Sequence, residues 1–150
     1  MAFFSDLSEY RYGRVAPQRG TLNVGWLDAS SPHPVGDVPQ QFVERLWELT
    51  RIFVEPTRGV HYCNLCPSPP RGALAVTHRN AVRRLGTAEI RAFGKRVAYA
   101  APNLVFHYVV AHRYRPPDEF VDAVINGPGA SDKKCAARLR AMGLDWYYYD

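Results

Sequence analysis

The spacing of apolar residues predicts four helices, of which the first is the clearest. Phe42, Leu46 and Leu49 recur at i, i+4 and i+7, and charged or amide side chains lie between them. This is the period of a helix that turns one face toward a core. Pro39 suits the first helical turn, where a missing N–H is not needed. We therefore predict a core-packing helix over residues 39–51.

Two more helices are predicted in the second half of the chain. From residue 102, Leu104, Tyr108 and Ala111 share one helical face. The double proline at 116 and 117 ends that helix, since proline lacks the N–H that a helix interior needs. A further helix begins at Pro117 and ends at the Asn-Gly-Pro turn at 126–128.

The remaining periodic stretches are short and extended. Residues 22–27 alternate apolar with small or polar side chains, which is typical of a short strand. Residues 87–93 and 95–99 flank Gly94 and predict a β-hairpin with glycine at its turn. The segment 72–86 follows neither period. We predict an α+β fold in which a small antiparallel sheet, with its hairpin near 87–99, packs with about four helices.

The C-terminal segment, residues 127–150, is predicted to be a basic helix followed by an aromatic tail. Ser131 suits the N-cap of this helix, which runs to about Met142, and Gly143 closes it. Residues 146–149 are one tryptophan and three tyrosines. With 150 residues in all, we expect a single domain over 1–150.

Composition is that of a soluble globular protein with many loops. Hydrophobic residues make up 47% and charged residues 22%, and there are 12 prolines and 11 glycines. No apolar run approaches the roughly 20 residues that cross a bilayer. Residues 1–7 lack the basic start and apolar stretch of a secretory signal. We therefore expect a cytoplasmic protein that does not enter a membrane.

The strongest chemical signal is the pair Cys63 and Cys66, followed by a proline-rich loop. Two cysteines separated by two residues place both sulfurs on one side of a turn, which is half of a tetrahedral zinc site. Two alternatives are small buried cysteines and a redox dithiol. The prediction favours zinc because the loop offers few aliphatic neighbours, and because three cysteines fit a metal pair plus one bystander better than a disulfide framework.

Histidines complete the predicted zinc site. His107 and His112 are separated by four residues, a spacing found in second ligand pairs. Five positions turn a regular helix by about 140°, so both reach one metal only if the helix tightens or ends near Val110. His61, two residues before Cys63, is the reserve ligand. We predict a structural Zn²⁺ that staples the cysteine loop to the histidine helix.

A catalytic metal is the weaker alternative. A hydrolytic site needs an open coordination position and a carboxylate base, and Glu89 and Glu119 are the carboxylates near the ligands in sequence. Neither belongs to a His-Glu-x-x-His motif or to the zinc deaminase pattern. In this alternative, a small zinc-dependent hydrolase, Glu89 would act as general base.

Basic residues exceed acidic ones by five, which favours anionic partners. The sequence allows one continuous anionic-partner surface or several separate solvated faces, and the second is slightly favoured. The candidate residues come from three segments: Arg83, Arg84, Arg91, Lys95, Arg96, Lys133, Lys134 and Arg138. No glycine-rich phosphate loop or helix-turn-helix signature accompanies them.

Several of these residues also form strings that resemble a family of small bacterial proteins of unknown function. The distinctive ones are His61-x-Cys63-x-x-Cys66, Gly86-Thr87-Ala88-Glu89-Ile90 and Tyr99-x-Ala101-Pro102-x-Leu104-x-x-His107-Tyr108-Val109-x-x-His112-x-Tyr114-x-Pro116-Pro117-x-Glu119-Phe120. The resemblance covers about residues 4–126 and implies that the cysteine pair, Glu89 and the histidine helix belong to one design.

Together these features predict a zinc-stabilised, non-enzymatic binding module. Its expected partner is a protein or an anionic polymer such as a nucleic acid. The hydrolase described above is the first alternative. An immunity or accessory protein that neutralises a partner is a second alternative, which suits the size of the chain but has no particular residue in its favour.

Overall fold

The computed structural model describes residues 3–14 and 16–149. Residues 1, 2 and 15 lie outside this part, as does residue 150, the last residue of the predicted C-terminal segment. The elements, in chain order, are β1 (Thr21–Asn23), α1 (Gln40–Leu49), β2 (Ile52–Val54), β3 (Leu74–His78), β4 (Ala81–Leu85), β5 (Glu89–Phe93), β6 (Ala98–Pro102), α2 (Val105–His112), α3 (Asp118–Asn126), α4 (Lys133–Ala141) and β7 (Trp146–Tyr148).

A five-stranded sheet with the order β1-β6-β5-β2-β7 organises the chain. β5 and β6 form the predicted hairpin, and Gly94 N–H donates to Val97 O at its turn. β2 pairs antiparallel with both β5 and β7, whereas β1 pairs parallel with β6. The α+β class is thereby confirmed, and the sheet is larger than the predicted hairpin and mixed in direction.

A second, two-stranded sheet occupies most of the segment that had no clear period. β3 and β4 pair antiparallel in register from Leu74–Leu85 to His78–Ala81. Arg79 and Asn80 join them, both with positive φ (48° and 63°), as a two-residue hairpin turn requires. On β4 the exposed Val82 and the buried Arg83 reverse the usual pattern of apolar residues inside and polar residues outside, which hides the strand in the sequence.

Helices α1, α2 and α3 share the main core with the inner face of the large sheet. α1 buries Phe42, Leu46 and Leu49, as its apolar stripe predicts, and Pro39 precedes the helix as its N-cap. Each such side chain contributes about 1.5–3 kcal/mol through burial. α2 is buried from Val105 to Val109, so it lies inside the domain. In the described part of the chain no helix is long and apolar enough to cross a membrane.

The C-terminal segment builds a smaller second core on the other face of the sheet. Cys135 and Leu139 of α4 pack there with Ile52, Val54 and Phe93. Asp132, and not the predicted Ser131, caps α4, because its carboxylate accepts from Lys134 N–H at 2.9 Å. Three residues of the predicted aromatic tail, Trp146–Tyr148, form the edge strand β7.

Candidate metal centre

Two distant segments bring four ligand side chains together. The loop between β2 and β3 supplies Cys63 and Cys66, and α2 supplies His107 and His112. The four ligand atoms lie within 4.8 Å of one another. We call these residues the cysteine–histidine cluster. The four residues predicted from the sequence therefore lie together in the structure, and their ligand atoms are close enough to bind one metal ion.

The sulfur–nitrogen distances fit a tetrahedral shell. Cys63 Sγ lies 3.3 Å from His112 Nε2, and Cys66 Sγ lies 3.3 Å from His107 Nε2 and 3.4 Å from His112 Nε2. Zinc bonds to sulfur at about 2.3 Å and to nitrogen at about 2.0–2.1 Å, so ligands at tetrahedral angles lie about 3.5 Å apart. Two thiolates and two imidazoles are also the donor set that zinc accepts in structural sites.

The end of α2 explains how two histidines five positions apart face one point. The sequence suggested that α2 tightens or ends near Val110. The helix instead continues to His112, and the turn at its C-terminal end is wider than a regular α-helical turn. The N–H groups of Arg113 and Tyr114 both donate to Tyr108 O, five and six residues earlier, and Arg113 adopts a left-handed conformation (φ 54°). A wider turn reduces the angle between positions i and i+5, and such turns are frequent at functional sites.

The cysteine loop is fixed to the rest of the protein on both sides of Cys63. His61 N–H donates to Gly86 O at 2.7 Å, and a Cβ at Gly86 would lie 2.3 Å from His61 O, so this approach requires glycine. The Asn64 side chain donates to Asp28 at 2.7 Å and accepts from Ala29 N–H at 3.1 Å. The loop therefore presents its sulfurs to α2 from a defined position.

Burial favours the uncharged forms of His107, His112 and Cys63. It lowers the pKa of His107 to about 4, with His112 as a smaller cause, and it also lowers the pKa of His112. Burial raises the pKa of the Cys63 thiol to about 11. Neutral imidazoles are ready to bind a metal, whereas the thiol must lose its proton to a cation that binds there. A metal would thus supply the charge that this buried region lacks.

The other histidine and cysteine candidates lie elsewhere. His61, the reserve ligand, lines a small cavity with Trp26 and Glu89 and is not one of the four grouped residues. Cys135 is buried in the second core, as expected for a bystander. The cysteine–histidine cluster thus consists of the two cysteines and the two helical histidines.

Glu89 belongs to a separate buried group, which we call the ion-pair cluster: Tyr10, Glu89 and Arg91. The Tyr10 hydroxyl donates to Glu89 Oε1 at 2.8 Å, and Arg91 Nη1 donates to the same oxygen at 2.8 Å. Arg91 also lies over the Tyr10 ring, 4.7 Å from its centre. Burial raises the pKa of Glu89 despite these partners. The sequence signal was the i, i+2 spacing of Glu89 and Arg91, which puts both on one face of β5.

The predicted anionic-partner residues do not form one surface. Arg91 is buried in the ion-pair cluster, and Arg83 is buried against Trp47 O and Thr50, so neither belongs to an exposed face. Arg84 is exposed on β4, and Arg96 and Lys133 are also exposed. Three of the candidates, Lys95, Lys134 and Arg138, line one groove of about 430 Å³ between the β5–β6 turn, α3 and α4.

The chain belongs to the family described as a domain of unknown function (DUF7919), whose model matches residues 2–125. This agrees with the resemblance to an uncharacterised family, and the matched range ends just before the C-terminal segment. No curated protein matches the chain, and neither does any solved structure.

Proposed function

We propose that the protein is a binding module whose fold is stabilised by one structural Zn²⁺ in the cysteine–histidine cluster. The observation that carries the proposal is the convergence within 4.8 Å of two thiols and two imidazoles whose contacts join residues 41 to 49 positions apart in sequence. Metal binding to such a set couples directly to folding, because the unfolded chain lacks the preformed site.

A structural role is favoured over a catalytic one by the number and type of ligands. Four protein ligands complete a tetrahedral shell, whereas hydrolytic zinc keeps one position for water. The base of the alternative hydrolase, Glu89, has its carboxylate engaged with Tyr10 and Arg91. Ligand thiols must also stay reduced, which supports a location in a reducing compartment such as the cytoplasm. We propose that residues 1–150 act as a single domain.

Cobalt substitution tests the ligand set. Co²⁺ in place of zinc should show the intense visible bands of tetrahedral coordination and a thiolate charge-transfer band in the near ultraviolet. His112→Ala should change this spectrum, whereas the matched variant His61→Ala should leave it unchanged. Equal spectra for wild type and His112→Ala would refute the proposed ligands.

The same cobalt protein distinguishes a closed site from an open one. With four protein ligands in place, added azide or cyanide at moderate concentration should leave the visible spectrum unchanged. A saturable spectral shift would reveal an exchangeable position and would favour the hydrolase alternative instead.

The basic groove supports an anionic partner. Lys95 comes from the β5–β6 turn, and Lys134 comes from the first turn of α4. Arg138 donates to Gly94 O and lies 4.5 Å from the Phe93 ring centre, so it fixes one wall of the groove. Two exposed lysines and a fixed guanidinium outnumber the one acidic side chain of the groove, Asp122, so the groove is suited to an anionic segment.

A single-stranded oligonucleotide is the first probe for this groove. Phosphate contacts predict an affinity that falls steeply with salt, with a slope of about −0.7 per contact. A Lys95→Gln, Lys134→Gln variant should weaken binding and flatten the slope, whereas Arg71→Gln, in the exposed proline-rich loop, should do neither. Binding that ignores salt or the lysine pair would exclude the nucleic-acid version of the proposal.

A further inference from the structure

A narrow cavity lies beside the ion-pair cluster, away from the metal ligands. Tyr12, Trp26, Thr57, His61 and Glu89 line it, and its free space of about 10 Å³ is room for one water-sized group. A cleft of about 270 Å³ adjoins it and shares Tyr12, Thr57 and Glu89 with it. We call the two spaces the inner cavity and the outer cleft. A ligand therefore has room for a small head inside and a larger tail outside.

The lining of the inner cavity has one acidic side chain, which already pairs with Arg91 from outside the lining, and aromatic rings that favour a cation over an anion. Among the described residues it contains the carboxylate of Glu89 and no lysine or arginine. The rings of Tyr12 and Trp26, with centres 5.4 Å apart, form an aromatic wall, and aromatic faces attract cations. In the outer cleft Glu55 is paired with Arg14 at 3.5 Å, at a partly exposed position. Arg91, which pairs with Glu89 at 2.8 Å, lines neither space, so an anionic head group would meet the Glu89 carboxylate before any unpaired guanidinium nitrogen.

Glu89 keeps acceptor capacity that its partners do not use. Its Oε1 accepts from both Tyr10 and Arg91 at 2.8 Å, whereas Oε2 has only a longer 3.1 Å contact with the same Tyr10 hydroxyl. One O–H cannot donate fully to two oxygens, so Oε2 retains free lone pairs. The side chain is only 3% exposed, and a buried carboxylate oxygen gains more than an exposed one from a donor with a positive charge.

We propose that the inner cavity binds the protonated head of a small primary amine, with Glu89 as counter-ion, Tyr12 and Trp26 as aromatic walls, and the outer cleft as the place of the tail. An ammonium group has the size of a water molecule and donates three hydrogen bonds, which suits a space for one such group. This proposal does not depend on the metal or on the basic groove.

NMR titration with n-butylammonium chloride tests the proposal. The reporter is the Trp26 indole N–H, which donates to Ala100 O and is assigned with a Trp26→Phe variant. At constant ionic strength n-butylammonium should give a saturable shift, whereas n-butanol and sodium butyrate should give none. Equal binding of n-butanol would mean an unselective apolar cavity, preferred binding of butyrate would mean an anion site, and no saturation would mean a cavity for water only. Each of these results overturns the proposal.

Variants locate the binding in the cavity. Tyr12→Leu, at a half-buried position, should weaken n-butylammonium binding about fivefold or more, and Glu89→Gln should weaken it tenfold or more. Glu119→Gln, an exposed change on α3, should leave binding unchanged. If Glu89→Gln does not fold, the Tyr12→Leu variant and the three titrations of the wild-type protein still test whether the inner cavity binds the amine. Unchanged affinity in Tyr12→Leu, or in a folded Glu89→Gln variant, would refute the site.

Discussion

The cysteine–histidine cluster and the ion-pair cluster are two groups of buried ionisable side chains that differ in how their charges are compensated. In the ion-pair cluster a carboxylate, a guanidinium and a phenol from this chain pair with one another over 2.8 Å contacts, although Nε and Nη2 of Arg91 have no hydrogen-bond partner. In the cysteine–histidine cluster all four groups are potential ligands, and burial keeps the Cys63 thiol and the His107 imidazole neutral. The first cluster contains both a carboxylate and its own cation, whereas the second offers four potential ligands and no cation.

This difference assigns different roles to the two clusters. A self-paired ion pair in a protein interior costs much of its Coulomb gain in desolvation, so its net contribution to stability is small. A set of thiols and imidazoles that binds a metal contributes the full binding free energy of that metal. We therefore expect a chelator to destabilise the protein through the cysteine–histidine cluster and to leave the ion-pair cluster unaffected. We also expect single substitutions in the two clusters to change the free energy of unfolding by different amounts.

Metal removal should have the largest effect. A strong chelator, or Cys66→Ser, should lower the free energy of unfolding by about 5 kcal/mol, because a metal that binds only the folded state stabilises it by its binding free energy. Urea unfolding with and without chelator measures this. Cys135→Ala is the matched control, since it changes a cysteine outside the cluster and should keep the full chelator response. A chelator that leaves the unfolding midpoint of wild type unchanged would contradict the comparison.

Breaking the ion-pair cluster should rank second. Arg91→Met leaves the Glu89 carboxylate buried without its cation and should cost about 3–5 kcal/mol. Replacing both partners, as Glu89→Leu with Arg91→Met, should recover part of that loss, because no charge is then left alone. A double-mutant cycle by urea unfolding gives the coupling energy. Additive losses would show that the pair is not coupled.

Tyr10→Phe should have a smaller, pH-dependent effect. Near pH 7 the lost hydrogen bond to a carboxylate should cost about 1.5–3 kcal/mol. Burial, with Glu89 as the next cause, raises the pKa of Tyr10 from 10.0 to about 12. The folded state therefore holds this proton more tightly, so the stability it confers is complete below pH 10 and is lost as the pH rises toward 12, by about 2–3 kcal/mol.

Urea unfolding of wild type and Tyr10→Phe between pH 8 and about 11.5 isolates this group from the other tyrosines. The difference in stability between the two proteins should shrink as the pH rises above 10. A constant difference across this range would show that Tyr10 ionises at its ordinary pKa.

The smallest expected effect is on the loop that carries the cysteines. Asn64→Ala removes the side-chain bonds to Asp28 and Ala29 and should cost about 1 kcal/mol. Because the loop then presents its sulfurs less rigidly, zinc transfer to a colorimetric chelator should also become faster. A Ser68→Ala variant further along the same loop should leave the transfer rate unchanged. Equal rates for Asn64→Ala and wild type would show that this anchor does not hold the site.

The sequence predicted the elements of the fold that have a strong local pattern. The apolar stripe of α1 and the glycine turn between β5 and β6 each follow from a strong local pattern. The parallel pairing of β1 with β6 could not be predicted, because it joins segments about 75 residues apart through contacts that leave no local signal. The hairpin of β3 and β4 was not predicted, because on β4 Val82 is exposed and Arg83 is buried, the reverse of the alternation that indicates a strand.

The sequence identified the four residues that the structure brings together, but not the geometry that joins them. Cys63 and Cys66 stand at a recognisable spacing, whereas the two histidines suit one metal only because the end of α2 widens around the Tyr108 carbonyl. That widening depends on Arg113 in a left-handed conformation, which arginine rarely adopts and which tertiary packing must impose. The ion-pair cluster depends on Tyr10, whose segment has no regular pattern.

Metal content measured by elemental mass spectrometry tests the central claim most directly. The protein is purified without a histidine tag, beside a Cys63→Ser, Cys66→Ser double variant. We expect about one zinc per chain in wild type, and its loss in the variant together with a lower unfolding midpoint. A folded, stable wild-type protein without metal would contradict the account.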